Sequence, residues 1–297
     1  MIISSSLMAF LSTGDHIVVQ NDIYGGTRSL IEKYFNNYGI EYSFTKGLSV
    51  SDFEREIKKN TKAIYIETPS NPLLKIVDIS DIVNLSKSND LVSYIDNTFA
   101  TPLIQKPHKL GIDIVIHSAT KYFGGHSDIC AGAVASSKEK IDKIWSFSKK
   151  FGGSLSDYTA WLLERSMKTL SVRFFTQQKN AMKLSQVLQE NKNIDRVYYP
   201  GLTAHENHDL AKKQMDGFGA VISFELNKKF NPKLLENNSY DTLHPIKAII
   251  EYSICIFLTD FTFYICHRTS HHPYLYKYIH KKHHEVKNCI GMAGVYT

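Results

Sequence analysis

The feature that most constrains this chain is a succession of short apolar runs, each ending near a polar residue able to do chemistry. "KAIYIET" (62–68), "LVSYID" (91–96), "GIDIVIHS" (111–118) and "AGAVASS" (131–137) have the length and composition of buried strands. Between the first two, "DISDIVNLSKSND" (78–90) has helical spacing, with Ile79, Ile82, Val83 and Leu85 on or near one face. Strand, helix and strand in turn predict right-handed crossovers and a mostly parallel α/β sheet. In such sheets ligands collect at the carboxyl ends of strands. That rule selects Glu67 to Asn71, Asp96 to Phe99, and Ser118 to Lys121.

From about 138 to 190 the pattern turns helical, in "KEKIDKIWSFSKK" and "RSMKTLSVRFFTQQKNAMKLSQVLQE". "IDRVYYPGL" and "AVISFEL" return to strand character, with "HDLAKKQMDG" between them. A large α/β domain leading into a smaller α+β one is therefore expected over 1–228. A polar, Asn-rich stretch marks a junction at 229–244, and 245–297 forms a separate segment. The net charge of +6 is spread without an arginine-rich stripe, so no nucleic-acid partner is expected. Cys130, Cys255, Cys266 and Cys289 form no CxxC pair, which argues against a cysteine zinc site and a secreted disulfide framework. "MIISSSLMAFLSTGDH" lacks a basic region before its apolar stretch, so it does not read as a signal peptide, and a cytoplasmic location is expected.

The strand ends suggest a chemistry. In "HSATKYFGGHSD" (117–128), Lys121 follows a strand and is flanked by small hydroxyl residues. A lysine amine kept uncharged by burial can attack an aldehyde and hold it as a Schiff base. Ser118 and Thr120 can hydrogen-bond a phosphate, and Gly124 and Gly125 let backbone approach a ligand. Taken alone, the same lysine reads as an ordinary surface residue. Asp96 ends an apolar strand, where an aspartate is expensive to bury unless it meets a cation. A protonated pyridine nitrogen is such a cation, although "DNT" would also serve a turn. Asn71, at another strand end, can bond a phenolic oxygen, and Tyr24, before Gly25 and Gly26, can stack on a flat ring. Together these residue types point to pyridoxal 5′-phosphate (PLP).

The motifs "GDHIVVQNDIYGGT", "ETPSNPLLKIVDI", "DNTFATP", "HSATKYFGGHSD", "FGGSLSDYTAWLLERSMKTLSVR" and "YYPGL…GFGAVISFEL" occur in this order over about 1–228. Together they resemble the Cys/Met-metabolism family of PLP-dependent enzymes, which includes cystathionine γ-synthase, cystathionine lyases and methionine γ-lyase. The resemblance implies the aspartate-aminotransferase-like fold (fold type I) and a homo-oligomer. It implies elimination or replacement at Cβ or Cγ of cystathionine, homocysteine derivatives or methionine. Carried over, it makes Lys121 the Schiff-base lysine and general base, and Asp96 the partner of the pyridine nitrogen. Tyr24 stacks on the ring, Ser118 and Thr120 contact the phosphate, and Asn71 bonds the ring hydroxyl. The family's N-terminal Tyr and Arg, its Ser-Gly-Met-like phosphate turn and its C-terminal carboxylate-binding Arg have no counterpart over 1–228. The expectation is a chain truncated at both ends, with weak cofactor anchoring and impaired activity.

The tail reads differently. "PIKAIIEYSICIFLTDFTFYIC" (245–266) is long enough to span a bilayer, which takes ~20 residues, but Lys247, Glu251 and Asp260 interrupt it. A buried or interfacial helix is the competing reading, and membrane contact of the tail stays open. Six of the chain's 13 histidines follow in 266–285. That segment resembles the fatty-acid hydroxylase/sterol desaturase superfamily of membrane di-iron enzymes. His267 and His271 are spaced to share a helix face, and His280, His283 and His284 form an H-x-x-H-H set suited to iron. Such enzymes need further histidine boxes, so a basic, exposed helix with solvated histidines is the plainer reading and no metal ligand is assigned. Two alternatives to the PLP enzyme follow: a non-catalytic family remnant or mis-joined gene product, and a membrane di-iron hydroxylase-like fragment.

Overall fold

The computed structural model describes residues 2–227. Its centre is a six-stranded sheet with the order β2-β1-β3-β4-β5-β6. The strands are β1 (His16–Val19), β2 (Glu41–Phe44), β3 (Thr61–Glu67), β4 (Val92–Asp96), β5 (Ile114–His117) and β6 (Ala133–Ala135). The first five pair in parallel, and β6 closes the edge antiparallel to β5. All four expected apolar runs form strands of this sheet. β1 and β2 were not anticipated.

Helices fill the intervals: α1 (Ile2–Met8), α2 (Gly25–Tyr34), α3 (Val50–Glu54), α4 (Ile79–Ser88), α5 (Thr101–Ile104), α6 (Pro107–Leu110) and α7 (Lys138–Lys150). α4 shows why these residues fold as they do. Asp78 caps it, its carboxylate accepting from the N–H groups of Ser80 (2.9 Å) and Asp81 (3.3 Å). Ile79, Ile82, Val83, Leu85 and Ser86 are its buried residues. Each large aliphatic side chain buried this way contributes about 1.5–3 kcal/mol, so Ile82→Ala would cost about 2–5 kcal/mol.

Strand alternation divides the core into two layers. Ile17, Val19, Tyr65, Tyr94, Ile114 and Ile116 pack with Leu7, Ile31 and Ile144 of α1, α2 and α7. Val18, Ile64, Ile66, Ile95 and Val115 pack with Phe53 of α3 and the apolar face of α4. A sheet covered on both faces accounts for strands that read as continuous apolar runs.

The chain then forms α8 (Asp157–Met167), α9 (Leu170–Gln189), β7 (Ile194–Tyr198), α10 (His208–Gln214) and β8 (Ser223–Leu226). β7 and β8 form strands where their sequences read as strands, and they pair antiparallel in a sheet of their own. The helical stretch expected through 165–190 is interrupted at Lys168 and Thr169, between α8 and α9. No helix among the described residues is long and apolar enough to cross a membrane. The expected junction at 229–244, the apolar run 245–266, and His267, His271, His280, His283 and His284 lie outside the described residues.

Strand order places the site. From β1 the chain moves outward to β2 and then crosses back to β3 on the other side of β1. The reversal opens a crevice between the carboxyl ends of β1 and β3, where an open α/β sheet binds its ligands.

Candidate active site

Tyr24, Asn71, Asp96, Ser118, Thr120 and Lys121 all lie in segments that follow or end β1, β3, β4 and β5. Hydrogen bonds tie most of these segments together. Asp96 and Glu67 are the last residues of β4 and β3, and they are register partners. Both are buried, each 5% exposed. No cation forms an ion pair with either among the described residues.

Thr98 joins Asp96 to the lysine segment. Its hydroxyl donates to Asp96 Oδ1 at 2.5 Å and accepts from the Ser118 N–H at 2.7 Å. The Thr98 N–H also donates to Asp96 Oδ1, at 3.0 Å. Burial raises the Asp96 carboxyl above its ordinary range, and the Thr98 bonds oppose that rise. Beyond Ser118 the chain turns tightly, the Lys121 N–H donating to Ser118 O at 3.0 Å. The Lys121 side chain is exposed. The Thr120 hydroxyl faces the segment that leads into β6: it donates to Ala131 O at 3.2 Å and accepts from the Ala131 N–H at 2.9 Å. A phosphate contact from Thr120 would compete with the first of these bonds.

Glu67 organises the other side of the crevice. Its Oε2 accepts from the Tyr24 N–H at 2.8 Å, and its Oε1 accepts from the Asn71 N–H at 2.9 Å. The buried Gln20 side chain pairs with the Glu67 backbone, donating to its carbonyl and accepting from its N–H, both at 3.0 Å. The Tyr24 ring, half-exposed, lies over Gly26, where any added Cβ would collide with it.

Two residues steady the segment after Lys121. Arg173, on α9, donates from Nη1 to Tyr122 O (3.0 Å), and from Nη2 to Ser166 O (3.0 Å) and Phe123 O (3.5 Å). Its guanidinium packs against Gly125, whose φ of +74° also favours glycine. His117, the last residue of β5, stacks on Phe123 with ring centroids 5.0 Å apart. Burial pushes its imidazole down to about 4, against a smaller opposing pull from the Asn97 backbone. Sequence reasoning selected Glu67 and Thr98 only as residues at strand ends, and assigned no role to Arg173 or His117. For Glu67 a signal existed, an acid closing an apolar run, the same signal that selected Asp96.

Among the described residues no group of His, Cys, Asp and Glu is placed to hold a metal ion. The donor set suits an organic cofactor: a buried carboxyl lacking a cation, an exposed primary amine, amide and hydroxyl donors, and an aromatic face.

A family model described as "Cys/Met metabolism PLP-dependent enzyme" matches residues 2–248, which extends beyond 228. The cystathionine beta-lyase of Lactococcus lactis subsp. cremoris (strain MG1363) is 45% identical over 240 residues, covering 80% of this chain and 63% of that protein. The L-methionine gamma-lyase of Fusobacterium nucleatum subsp. polymorphum is also 45% identical over 240 residues, covering 80% and 61%. The crystal structure of cystathionine gamma-lyase from Lactobacillus plantarum complexed with L-serine matches with a TM-score of 0.76 at 43% identity, covering 78% of this chain and 61% of that one. The chain thus spans about three fifths of the length of these relatives.

Proposed function

The chain belongs to the Cys/Met-metabolism family of PLP-dependent enzymes, and we propose that the crevice at the ends of β1, β3, β4 and β5 is a PLP site serving a sulfur amino acid. The observation that carries this reading is Asp96: a carboxyl buried at a strand end, without an ion-pair partner among the described residues, and joined through Thr98 to the segment that bears Lys121. A buried anion left in this way is costly until a cation joins it. The pyridinium nitrogen of PLP would supply that cation.

Bound there, PLP supplies an aldehyde for the amino group and a ring that takes up the electron pair left at Cα. The residues do the rest. The Lys121 amine would hold the cofactor's aldehyde and would serve as the general base for the α-proton. Asp96 would keep the ring nitrogen protonated. Tyr24 would cover one face of the ring, Asn71 would donate to its phenolic oxygen, and Ser118 and Thr120 would hold the phosphate. Elimination or replacement at Cβ or Cγ of cystathionine, homocysteine derivatives or methionine then follows from the family. The similar lyases named above support that substrate class.

A homo-oligomer and a cytoplasmic setting belong to the same proposal. Exposed Phe151, Tyr158 and Trp145 give the α7–α8 region an apolar surface that a second copy would cover.

Asp96→Ala tests the central assignment. The variant is expected to capture PLP through its lysine yet to exchange the α-proton of a sulfur amino acid for deuterium at least tenfold more slowly than the parent, roughly the weight of one charge-assisted contact. Exchange at the parental rate would remove Asp96 from this role.

A further inference from the structure

We propose that Glu67 is the positioning residue of this site: its carboxylate fixes the two backbone N–H groups that set where the Tyr24 ring and the Asn71 amide stand. The inference rests on the PLP reading for what those side chains meet, and on the structure for how they are held.

The geometry is economical. Tyr24 precedes α2, 43 residues before Glu67 in the chain, and Asn71 follows four residues after it. Their loops lie on either side of the crevice where the strand order reverses. One carboxylate reaches both, one oxygen to each N–H, at 2.8 and 2.9 Å. Tyr24 is the N-cap residue of α2, its own side chain makes no capping bond, and its N–H finds its partner across the crevice in Glu67. Gln20 holds the Glu67 backbone through both of its peptide groups, which aims the side chain. Two N–H donors converging on separate oxygens suit a carboxylate, because a carboxamide can accept on only one atom. Burial and the nearby Asp96 charge push the Glu67 carboxyl well up, and the two N–H bonds pull against that rise. Glu67 is also the register partner of Asp96, whose charge is one of the causes of that rise.

The test uses the full 297-residue chain and PLP itself. In Glu67→Gln, the amide of Tyr24 or of Asn71 should exchange with deuterium roughly tenfold faster than in the parent, the order expected for losing a hydrogen bond to a charged group. Apparent PLP affinity, read from the visible absorbance, should fall by a similar factor. Glu67→Asp keeps the charge but shortens the reach; it should show the same amide exposure, and it serves if Glu67→Gln fails to fold. Tyr24→Ala removes the ring but not the N–H, so Glu67→Gln should weaken PLP less in that background than in the parent. Unchanged protection of both amides in the variants overturns the proposal. So does an equal loss of affinity with and without the Tyr24 ring. A parent chain that takes up no PLP defeats the cofactor reading instead, and the amide measurements then still decide whether Glu67 holds the two loops.

Discussion

The guanidinium of Arg173 occupies the space that a side chain at Gly125 would need. The two residues lie on different elements, α9 and the turn after Lys121, and the contact fixes how that turn sits. Arg173 reaches the turn's carbonyls at Tyr122 and Phe123 because residue 125 has no Cβ.

Gly125→Ala should therefore destabilise the fold by about 2–4 kcal/mol, combining the strain of a positive φ with displacement of the guanidinium. Urea unfolding measures the loss, and tryptic cleavage after Lys121 should quicken as the turn loosens. A parental unfolding midpoint would show that Arg173 moves aside freely.

Thr98→Val should remove the hydroxyl that serves both Asp96 and the Ser118 N–H. Leaving that part-buried N–H without its acceptor costs about 1 kcal/mol. Thr98→Ser should retain most of the stability, because the oxygen stays. Equal stability of the valine and serine variants in denaturant would contradict this role.

His117 makes stability fall in acid. Its folded-state value of about 4 lies below the ordinary 6.5, so the unfolded chain binds the proton more readily. The stability it contributes is present above about 6.5 and is lost as pH falls towards 4, a change of about 3 kcal/mol between pH 7 and pH 4. Glu67 and Asp96, whose carboxyls are raised, act with the opposite sign, so the parent must be compared with a variant. His117→Phe should keep the ring stacked on Phe123 and flatten the parent's dependence by that amount. An unchanged slope between pH 7 and 4 would show that His117 does not titrate as its burial requires.

The legible part of this fold is the part whose signal is local. β3, β4 and β5 are apolar because both faces of the sheet are covered, and each ends on a polar residue at the crevice. The helix at Ile79–Ser88 carries its apolar spacing in one short window. β1 and β2 are no shorter than β5, so length does not explain why they were missed. β2 is partly exposed, and β1 begins with His16, whose buried imidazole bonds Thr61 and Ser43. Such a histidine makes a strand look polar although the strand is buried. The same limit applied at the site. Lys121 and Asp96 declare themselves by residue type at a strand end. Glu67, Thr98 and Arg173 act through partners up to about 50 residues away, and no short window contains both ends of such a bond.

We propose Lys121 as the residue that holds the cofactor. Borohydride reduction of the PLP-treated chain fixes the cofactor to the lysine that carries it, and peptide mapping then locates the label. The label is expected on Lys121 and should be lost in Lys121→Ala. A label on another lysine, with Lys121 unmodified, would contradict it.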